Sequence, residues 1–461
     1  MELFVDRERE LLFLEEQLAE KKASFVVVYG RRRVGKTALL SRFIRKKRAL
    51  YFLATEEGEG ENREAFRNLA AEFSGNELLS QSDADWLLIW KTLVQGAGEE
   101  RLIFVIDEFQ YLAQANPAFP SVMQKIWDTA LADKNVMLIL CGSSVSMMES
   151  ACLSYGSPLY GRRTGQIKLK PIPFSHYGKF FPRTGDRELA ELYAVTGGIP
   201  KYIEFFKNGE GSLAEKIHRN ILSTSGFLYD EPAFLLQKEV SEVGSYFSII
   251  KTIAAGNHKL AQIAAAMNIK QTGLSKYLGT LISLDILERE VPVTEENPEK
   301  SKRGRYRIRD NFLLFWFKFV FPSLSYVAIG KTGVAEKKIK ENFIDGHASF
   351  VYEDICRERI WELDLSKKWG FTIDRCGRWW DNREEIDIAA YHSGGEDIIF
   401  GECKFTAKKT GPAVLQELER KSRLVDWKKG RRRDHFILFS ISGYTDELKA
   451  LAKTRKDLLL K

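Results

Sequence analysis

The sequence predicts an α/β protein built around an open, mainly parallel sheet. Short apolar runs at Phe25–Tyr29, Leu102–Ile106 and Val136–Leu140 are typical of buried parallel strands. The first run is followed by helical spacing of apolar residues over Ala38–Arg48. Near the C-terminus, Glu385–Tyr391 alternates polar and apolar residues as a strand does. These patterns predict α/β regions at both ends of the chain.

Size and composition are those of a globular, multidomain protein. The 461 residues predict about three domains, and 44% hydrophobic with 29% charged residues favours packed cores over disorder. The net charge of +7 is compatible with a nucleic-acid partner without deciding it. Five scattered cysteines form no Cys-x-x-Cys pair, which argues against a disulfide framework or zinc ribbon and favours a cytoplasmic location.

The segment after the first strand fits the P-loop pattern, Gly30-x-x-x-x-Gly35-Lys36-Thr37. Glycines allow close backbone approach, so loop N–H groups and the helix N-terminus can hold phosphate oxygens. Lys36 is expected to neutralise the β- and γ-phosphates, and Thr37 to hold Mg²⁺. A chance glycine turn is the alternative, which the flanking strand and helix disfavour. The residues predicted to bind ATP or ADP here are Gly30, Arg33, Gly35, Lys36, Thr37 and Ala38.

Two further strand ends complete the predicted ATPase site. Asp107 and Glu108 follow the second apolar strand, at the end where open α/β sheets bind ligands. Asp107 is expected to assist Mg²⁺, and Glu108 to polarise the attacking water. Ser143 follows the third strand, where a polar residue can sense the γ-phosphate. An acidic turn and a plain strand-to-helix turn are the alternatives.

Three segments outside the P-loop are informative: "FVDRERELLFLEEQL" (Phe4–Leu18), "SPLYGRRTG" (Ser157–Gly165) and "YAVTGGIPKYI" (Tyr193–Ile203). With them, the sequence resembles an AAA+-related ATPase and, more narrowly, the archaeal-type ATPase family allied to the STAND signalling ATPases. The resemblance implies that Arg7 lies near the adenine and that Pro200 lies against the base or ribose. It also implies that Arg162 or Arg163 reaches the γ-phosphate, a role that suits an always-charged, bidentate donor. A solvated basic turn is the alternative for these two arginines.

The middle of the chain is predicted to form a helix-turn-helix with a wing. Helices are expected at about Ser245–Ala255, Leu260–Met267 and Thr272–Leu284, followed by two strands in "LERE" and "RYRIR". The whole resembles a winged helix, with an interdomain or protein-binding role as the alternative to DNA binding. The residues predicted to meet DNA are Gln271, Thr272, Ser275, Lys276 and Tyr277, with Lys300, Lys302, Arg303 and Arg305 of the wing.

A hairpin near the C-terminus carries a candidate hydrolytic site. Asp387 lies on its first strand, and Glu402 and Lys404 lie two apart on the second, so they share one face. Two carboxylates can bind Mg²⁺, with Mn²⁺ as an alternative, while Lys404 orients or deprotonates water. This looks like the PD-(D/E)xK nuclease fold, with an inactive nuclease fold as the alternative.

Residues around the hairpin extend this resemblance. Glu353, on the preceding helix, matches an acidic residue that some such nucleases add to the metal site, and Gln416 matches a position that is often polar. Arg420 stands where the RecB-like branch has tyrosine, which is a departure from that branch. Basic residues that could follow a nucleic-acid backbone are Lys408, Lys409, Lys421, Arg423, Lys428, Lys429, Arg431, Arg432 and Arg433.

The predicted domains are an ATPase core (1–170), a helical lid (171–238), a winged helix-turn-helix (239–325) and a nuclease-like domain (335–461). Their order resembles the archaeal-type ATPase family over nearly the full length. The prediction is an ATP-hydrolysing switch that acts on DNA; a DNA-binding regulator with an inactive nuclease and an AAA+ loader are the alternatives. A homo-oligomer and a protein partner at the winged helix stay open. No membrane span is expected, because the apolar Phe312–Gly330 contains a lysine and a proline.

Overall fold

The structure, a computed structural model, describes residues 4–95, 100–207 and 210–461. These residues fall into two units. The first contains Met1–Ile172, Ile199–Lys201 and Phe234–Ser241, and the second contains Pro173–Gly198, Tyr202–Ala233 and Glu242–Lys461. Helices Pro200–Lys207 and Glu231–Glu239 each contain a unit boundary. The boundaries of the four predicted domains stay predictions.

A five-stranded parallel sheet organises the first unit. Its order is β2–β3–β4–β1–β5, and β1, β3 and β4 are buried at every residue. This burial explains their apolar runs and confirms the predicted α/β fold with a parallel sheet. Because β4 lies between β1 and β3, the segments that follow these three strands meet at one edge. The strands are β1 (Ser24–Tyr29), β2 (Ala49–Leu53), β3 (Leu102–Asp107), β4 (Val136–Gly142) and β5 (Gly165–Lys168).

Helices cover this sheet, and an aromatic cluster fills part of the core. Phe66, Trp86 and Trp90 pack with ring centroids 5.1 to 5.3 Å apart, and Trp90 meets Phe104 of β3 edge-on at 5.0 Å. The helices are Glu8–Ala19, Lys36–Ile44, Glu59–Ser74, Glu77–Ser80, Trp86–Gln95, Gln110–Ala115, Phe119–Ile126 and Val145–Met148, with π-helical turns at Trp127–Leu131 and Glu149–Leu153.

The second unit contains the predicted helical middle of the chain. Helices Val243–Ala254, Leu260–Met267 and Gln271–Ser283 are followed by the antiparallel strands β6 (Leu287–Glu290) and β7 (Arg305–Ile308). All five elements lie close to their predicted positions. The other helices of this part are Phe174–Tyr177, Asp186–Thr196, Leu213–Ile217 and the π-helical turn His218–Leu222.

The most apolar segment of the chain contributes to a core. Among the described residues, Asn311–Ala328 alone has the length and mean hydropathy (1.3) of a membrane span, but half of it is buried in the structure. Phe315 and Phe319 pack on His347, with ring centroids 5.8 Å apart in both pairs. This packing is that of a core helix. Helices Gly333–Phe343, Ser349–Ile360 and Leu365–Trp369 follow it.

A second five-stranded sheet lies at the C-terminal end of the second unit. Its order is β12–β11–β10–β9–β8; the pairs among β8, β9 and β10 are antiparallel and those among β10, β11 and β12 are parallel. Helices Pro412–Ser422 and Asp446–Thr454 connect its parallel strands. The strands are β8 (Arg375–Trp380), β9 (Glu385–Tyr391), β10 (Asp397–Lys404), β11 (Arg433–Ser440) and β12 (Leu458–Leu460).

Candidate functional site

The first candidate site is the loop between β1 and helix Lys36–Ile44. Gly30 has φ +151°, and a Cβ there would lie 2.4 Å from the Leu169 carbonyl oxygen, so this position requires glycine. Gly35 has φ +95°. The buried Lys36 ammonium donates to the carbonyls of Gly30 (2.8 Å) and Arg31 (3.0 Å), and burial lowers its pKa. The loop therefore surrounds a cation, as a phosphate site requires.

Thr37 and Asp107 come together beside this loop. The Thr37 hydroxyl donates to Asp107 Oδ2 at 3.1 Å, and the Tyr51 hydroxyl donates to the same oxygen. A hydroxyl and a carboxylate are hard oxygen donors that suit Mg²⁺. Burial, followed by the hydrogen bond with Asp107, raises the pKa of Tyr51. The sequence-predicted pair is thus assembled, and Tyr51 is a partner that the sequence analysis missed.

Glu108 and Ser143 also meet. Glu108 has φ +54°, and its Oε2 accepts hydrogen bonds from Ser143 N (3.0 Å), Ser143 Oγ (2.6 Å) and Gln110 Nε2 (2.5 Å). This contact exists because β4, which ends just before Ser143, lies beside β3. The sequence analysis missed Gln110, and the only signal for it was that a polar side chain follows Glu108 by two positions.

Arg7 and Pro200 lie at the loop but have different surroundings. A Cβ on Gly35 would lie 3.9 Å from Pro200 Cγ, so Pro200 forms one wall of the loop. Arg7 is 4% exposed and donates to the carbonyls of Val34 (3.1 Å) and Lys170 (2.7 Å). Arg7 therefore ties the P-loop to the segment after β5, and contact of either residue with nucleotide stays a prediction.

Arg162 and Arg163 make no described contact with the P-loop. The Arg162 guanidinium pairs with Asp128 through two nitrogens, at 3.2 and 3.0 Å, and donates to the Pro158 carbonyl at 2.9 Å. The Arg163 guanidinium lies over the Tyr160 ring, 4.9 Å from its centroid. A nearby carboxylate and an aromatic face satisfy these cations, and their predicted reach to the γ-phosphate stays a prediction.

The second candidate site lies on β9 and β10. Ile388 stands opposite Gly401, and continuing this antiparallel register by one residue places Asp387 opposite Glu402. Directly opposed side chains share a face of the sheet. Asp387 Oδ2 accepts from the Cys403 N–H at 2.8 Å, and Lys404 Nζ donates to Glu402 Oε1 at 2.8 Å. The three predicted residues therefore adjoin.

The charges at this site influence one another. Burial, then repulsion from Glu402, raises the pKa of Asp387 to about 6. Burial acts to lower the pKa of Lys404, but the attraction of Glu402 and Asp387 outweighs it and raises that pKa. Lys404 therefore stays protonated, which favours the predicted orienting role over the predicted role as a base.

The predicted metal set is only partly assembled. Glu402 Oε2 is buried and accepts no hydrogen bond, with Lys421 Nζ 3.9 Å away, so it could serve a divalent ion. Glu353 binds Arg378 at 2.6 Å, and burial followed by repulsion from Asp387 raises the pKa of Glu353 to about 7, so it lies near the predicted carboxylates and its role as a metal ligand stays a prediction. Within residues 4–95, 100–207 and 210–461, no group of three or more His, Cys, Asp or Glu side chains could hold a metal ion.

The helix after β10 presents a different residue from the one predicted. Gln416 is exposed, whereas Lys421 is partly buried beside Glu402. The sequence analysis placed Lys421 in a basic cluster with Arg433, but β10 and β11 pair Asp397 with Arg433 and Glu402 with Leu438, at opposite ends of the strands. Lys421 and Arg433 therefore lie near opposite ends of β10.

Two of the four predicted wing cations form ion pairs within the second unit. Arg305 binds Glu385 at 3.0 Å, and Arg303 binds Glu295 at 2.9 Å. The neighbouring Arg307 of β7 binds Asp354 at 2.7 Å. Lys300 and Lys302 are exposed, so DNA contact by the wing stays a prediction. On the third helix, the exposed polar residues are Gln271, Thr272, Ser275 and Lys276, and Tyr277 donates to Glu242.

Comparisons with known proteins agree with the first site. The family described as an ATPase domain predominantly from Archaea matches residues 4–206, and a family described as archaeal and bacterial proteins of unknown function matches residues 316–418. Uncharacterized protein MJECL04 of Methanocaldococcus jannaschii is 37% identical over 92% of both chains. Uncharacterized ATP-binding protein MJ0423 of the same organism is 50% identical over 46 residues, 10% of this chain and 78% of that protein.

A solved structure supports the fold. The Walker-type ATPase PABY2304 of Pyrococcus abyssi aligns with a TM-score of 0.53 at 20% identity, covering 68% of this chain and 96% of that chain. At this identity the likeness concerns the fold alone.

Proposed function

Because this chain belongs to the archaeal-type ATPase family, we propose that it is an ATP-driven switch that acts on DNA in the cytoplasm. ATP binding and hydrolysis at the P-loop control a winged helix and a metal-dependent nuclease at the C-terminal sheet. The observation that carries the ATPase part is the meeting of Lys36, the Thr37–Asp107 pair and the Glu108–Ser143 pair at one edge of the sheet.

Each residue of the phosphate site has a distinct task. Lys36 offsets charge on the β- and γ-phosphates as it exchanges its loop carbonyls for phosphate oxygens. Thr37 and Asp107 would hold Mg²⁺, which would supply positive charge to offset that of the phosphates. Glu108, held by Ser143 and Gln110, would polarise the attacking water. Slow turnover would suit a switch.

The nuclease part of the proposal is supported by the buried carboxylate oxygen of Glu402, which accepts no hydrogen bond and lies opposite Asp387. A divalent ion held by these two residues would polarise a phosphodiester. Lys404, held protonated by its acidic neighbours, would orient water and offset negative charge in the transition state. Lys421 is a second cation close to the same carboxylate.

DNA contact is assigned to the third helix of the winged helix. Its exposed polar residues carry no ion pairs, whereas the wing arginines are occupied. Lys276 is suited to a phosphate, and Gln271 to a base edge.

Cleavage of plasmid and single-stranded DNA tests the whole proposal. Wild type, Asp387→Ala, Lys36→Ala and the exposed control Asp426→Ala are compared with Mg²⁺ or Mn²⁺, with and without ATP. We expect wild type to cut DNA in a metal-dependent way and Asp387→Ala to lose this cutting. We expect cutting by Lys36→Ala to no longer respond to ATP. Unchanged ATP response in Lys36→Ala would refute the coupling.

A second candidate function is an ATP-dependent DNA-binding regulator with an inactive nuclease fold. The pairing of Glu353 with Arg378 favours it, because the guanidinium offsets the charge of one carboxylate of the predicted metal set. DNA binding without cutting in any nucleotide state would select this function.

A further inference from the structure

Glu239 places a carboxylate in the first unit that the P-loop motif does not explain. It ends helix Glu231–Glu239, and its Oε2 accepts hydrogen bonds from Ser144 Oγ (3.1 Å) and Val145 N (3.2 Å). Ser146 Oγ also donates to its backbone carbonyl at 3.3 Å. The segment Phe234–Ser241 is thereby joined to the segment that follows β4.

Two adjacent serines hold two carboxylates at this point. Ser143 binds Glu108, the residue assigned to water, and Ser144 binds Glu239. A shift of one serine therefore displaces its neighbour in the chain. The geometry connects the position of Phe234–Ser241 with the position of Glu108.

The carboxylate of Glu239 also shares its cations with the phosphate site. Arg31 and Lys36 of the P-loop favour its charged form, while burial is the stronger influence and raises its pKa to about 7. Asp107 and Glu108 face Lys36 as well. Phosphate groups in the loop would engage these cations and add negative charge nearby, which opposes an ionised Glu239.

We propose that Glu239 is a nucleotide-sensitive positioning residue, which binds Ser144 and Val145 while the loop is empty and releases them when a triphosphate occupies it. This inference rests on the proposed ATPase function. Release lets Phe234–Ser241 move away from Ser144. It also lets Ser143 shift, which changes the position of Glu108, so ATP binding affects both segments. Because coupling is reciprocal, Glu239 in turn weakens triphosphate binding.

Nucleotide affinities of Glu239→Gln test the reciprocal effect. Dissociation constants for Mg·ATP, Mg·ADP and AMP are measured beside wild type and Glu242→Gln, an exposed control three residues away. We expect Glu239→Gln to bind ATP about five-fold more tightly or better, ADP less so, and AMP unchanged. Equal or weaker ATP binding would overturn the inference, since lost structure alone cannot strengthen binding in proportion to phosphate number.

Hydrogen exchange of Phe234–Ser241 tests the release directly. In wild type, a non-hydrolysable ATP analogue is expected to speed exchange of this segment. Ser144→Ala, which keeps the charge of Glu239 but removes a donor, is expected to exchange rapidly with or without the analogue. Unchanged exchange in wild type with bound analogue contradicts the inference alone, whereas absence of ATP binding in wild type contradicts the ATPase function itself.

Discussion

Single hydrogen bonds at the end of β4 determine how the phosphate site is arranged. Glu108 has a positive φ, which few residues other than glycine adopt, and three donors hold its carboxylate in place. Strained backbone at a site of this kind persists only where neighbouring groups fix it. Ser143 supplies two of those donors, so it is the residue on which the position of Glu108 most depends.

Replacing Ser143 with alanine is expected to lower kcat of ATP hydrolysis, by up to about 100-fold, because Glu108 is misplaced relative to water. KM should change little, since Ser143 holds Glu108, whereas phosphate binding is proposed for Lys36. Phosphate release over a range of ATP concentrations measures both constants. Ser150→Ala, an exposed position on the following segment, is the control. A rise in KM with normal kcat would instead assign Ser143 to nucleotide binding.

At the scale of elements, two carboxylates on the neighbouring strands β9 and β10 repel each other. Asp387 and Glu402 are opposed across the two strands, and the pKa of Asp387 is raised to about 6. An acid whose folded pKa is raised contributes stability below its unfolded pKa of about 3.9, and this stability is lost as pH rises through the folded pKa. The acidic pair therefore destabilises the metal-free sheet at neutral pH.

Asp387→Asn is expected to remove the destabilisation that the ionised Asp387 carboxylate causes beside Glu402. Relative to wild type, the variant should gain about 1 to 3 kcal/mol in free energy of unfolding between pH 4 and pH 8 in the presence of a chelator. Unfolding midpoints at several pH values, with the exposed Asp426→Asn as control, measure the gain. A pH-independent difference between Asp387→Asn and wild type would show that the carboxylate is not the cause. Added Mn²⁺ should stabilise wild type and leave the variant unaffected.

The third helix and the wing have different electrostatic roles. Lys276 is exposed, whereas Arg307 is bound by Asp354 at 2.7 Å and Glu290 at 2.9 Å. Lys276→Ala should weaken DNA binding and reduce the slope of log K against log salt by about 1. Arg307→Ala should leave that slope unchanged and lower stability, by about 1 to 3 kcal/mol. Titrations of each variant with DNA at several salt concentrations measure the slope. An equal loss of slope in both variants would indicate that the wing also contacts DNA.

At the scale of the whole molecule, the location of the arginine finger depends on assembly. Arg162 pairs with Asp128 rather than with the P-loop of its own chain. A finger supplied by a neighbouring copy would make ATP hydrolysis a property of an oligomer, as in closed rings with head-to-tail contacts.

Mixing two inactive variants tests that arrangement. Arg162→Ala retains a complete P-loop, and Lys36→Ala retains the arginine, so a mixture should recover ATP hydrolysis that neither variant has alone. Phosphate release from the mixture is compared with each variant at the same total concentration, and ATP-dependent oligomers are measured on a sizing column. No recovery although mixed oligomers form would exclude action in trans.

The sequence by itself determined the features that depend on neighbours along the chain. The P-loop followed from glycine spacing because backbone conformation at Gly30 and Gly35 is local, and the strands followed from apolar runs because burial imposes them. The Asp387, Glu402 and Lys404 group followed from a hairpin, whose short turn fixes the register.

Only the tertiary structure decided which distant charges meet. Each cation has several carboxylates available to it, and the choice depends on how strands and helices are packed rather than on spacing in the chain. Arg162 meets Asp128, Glu353 meets Arg378, and the wing arginines meet acids of the second unit, and the sequence predicted none of these pairs. Glu239 reaches Ser144 across 95 positions for the same reason, and no local pattern marks such a contact.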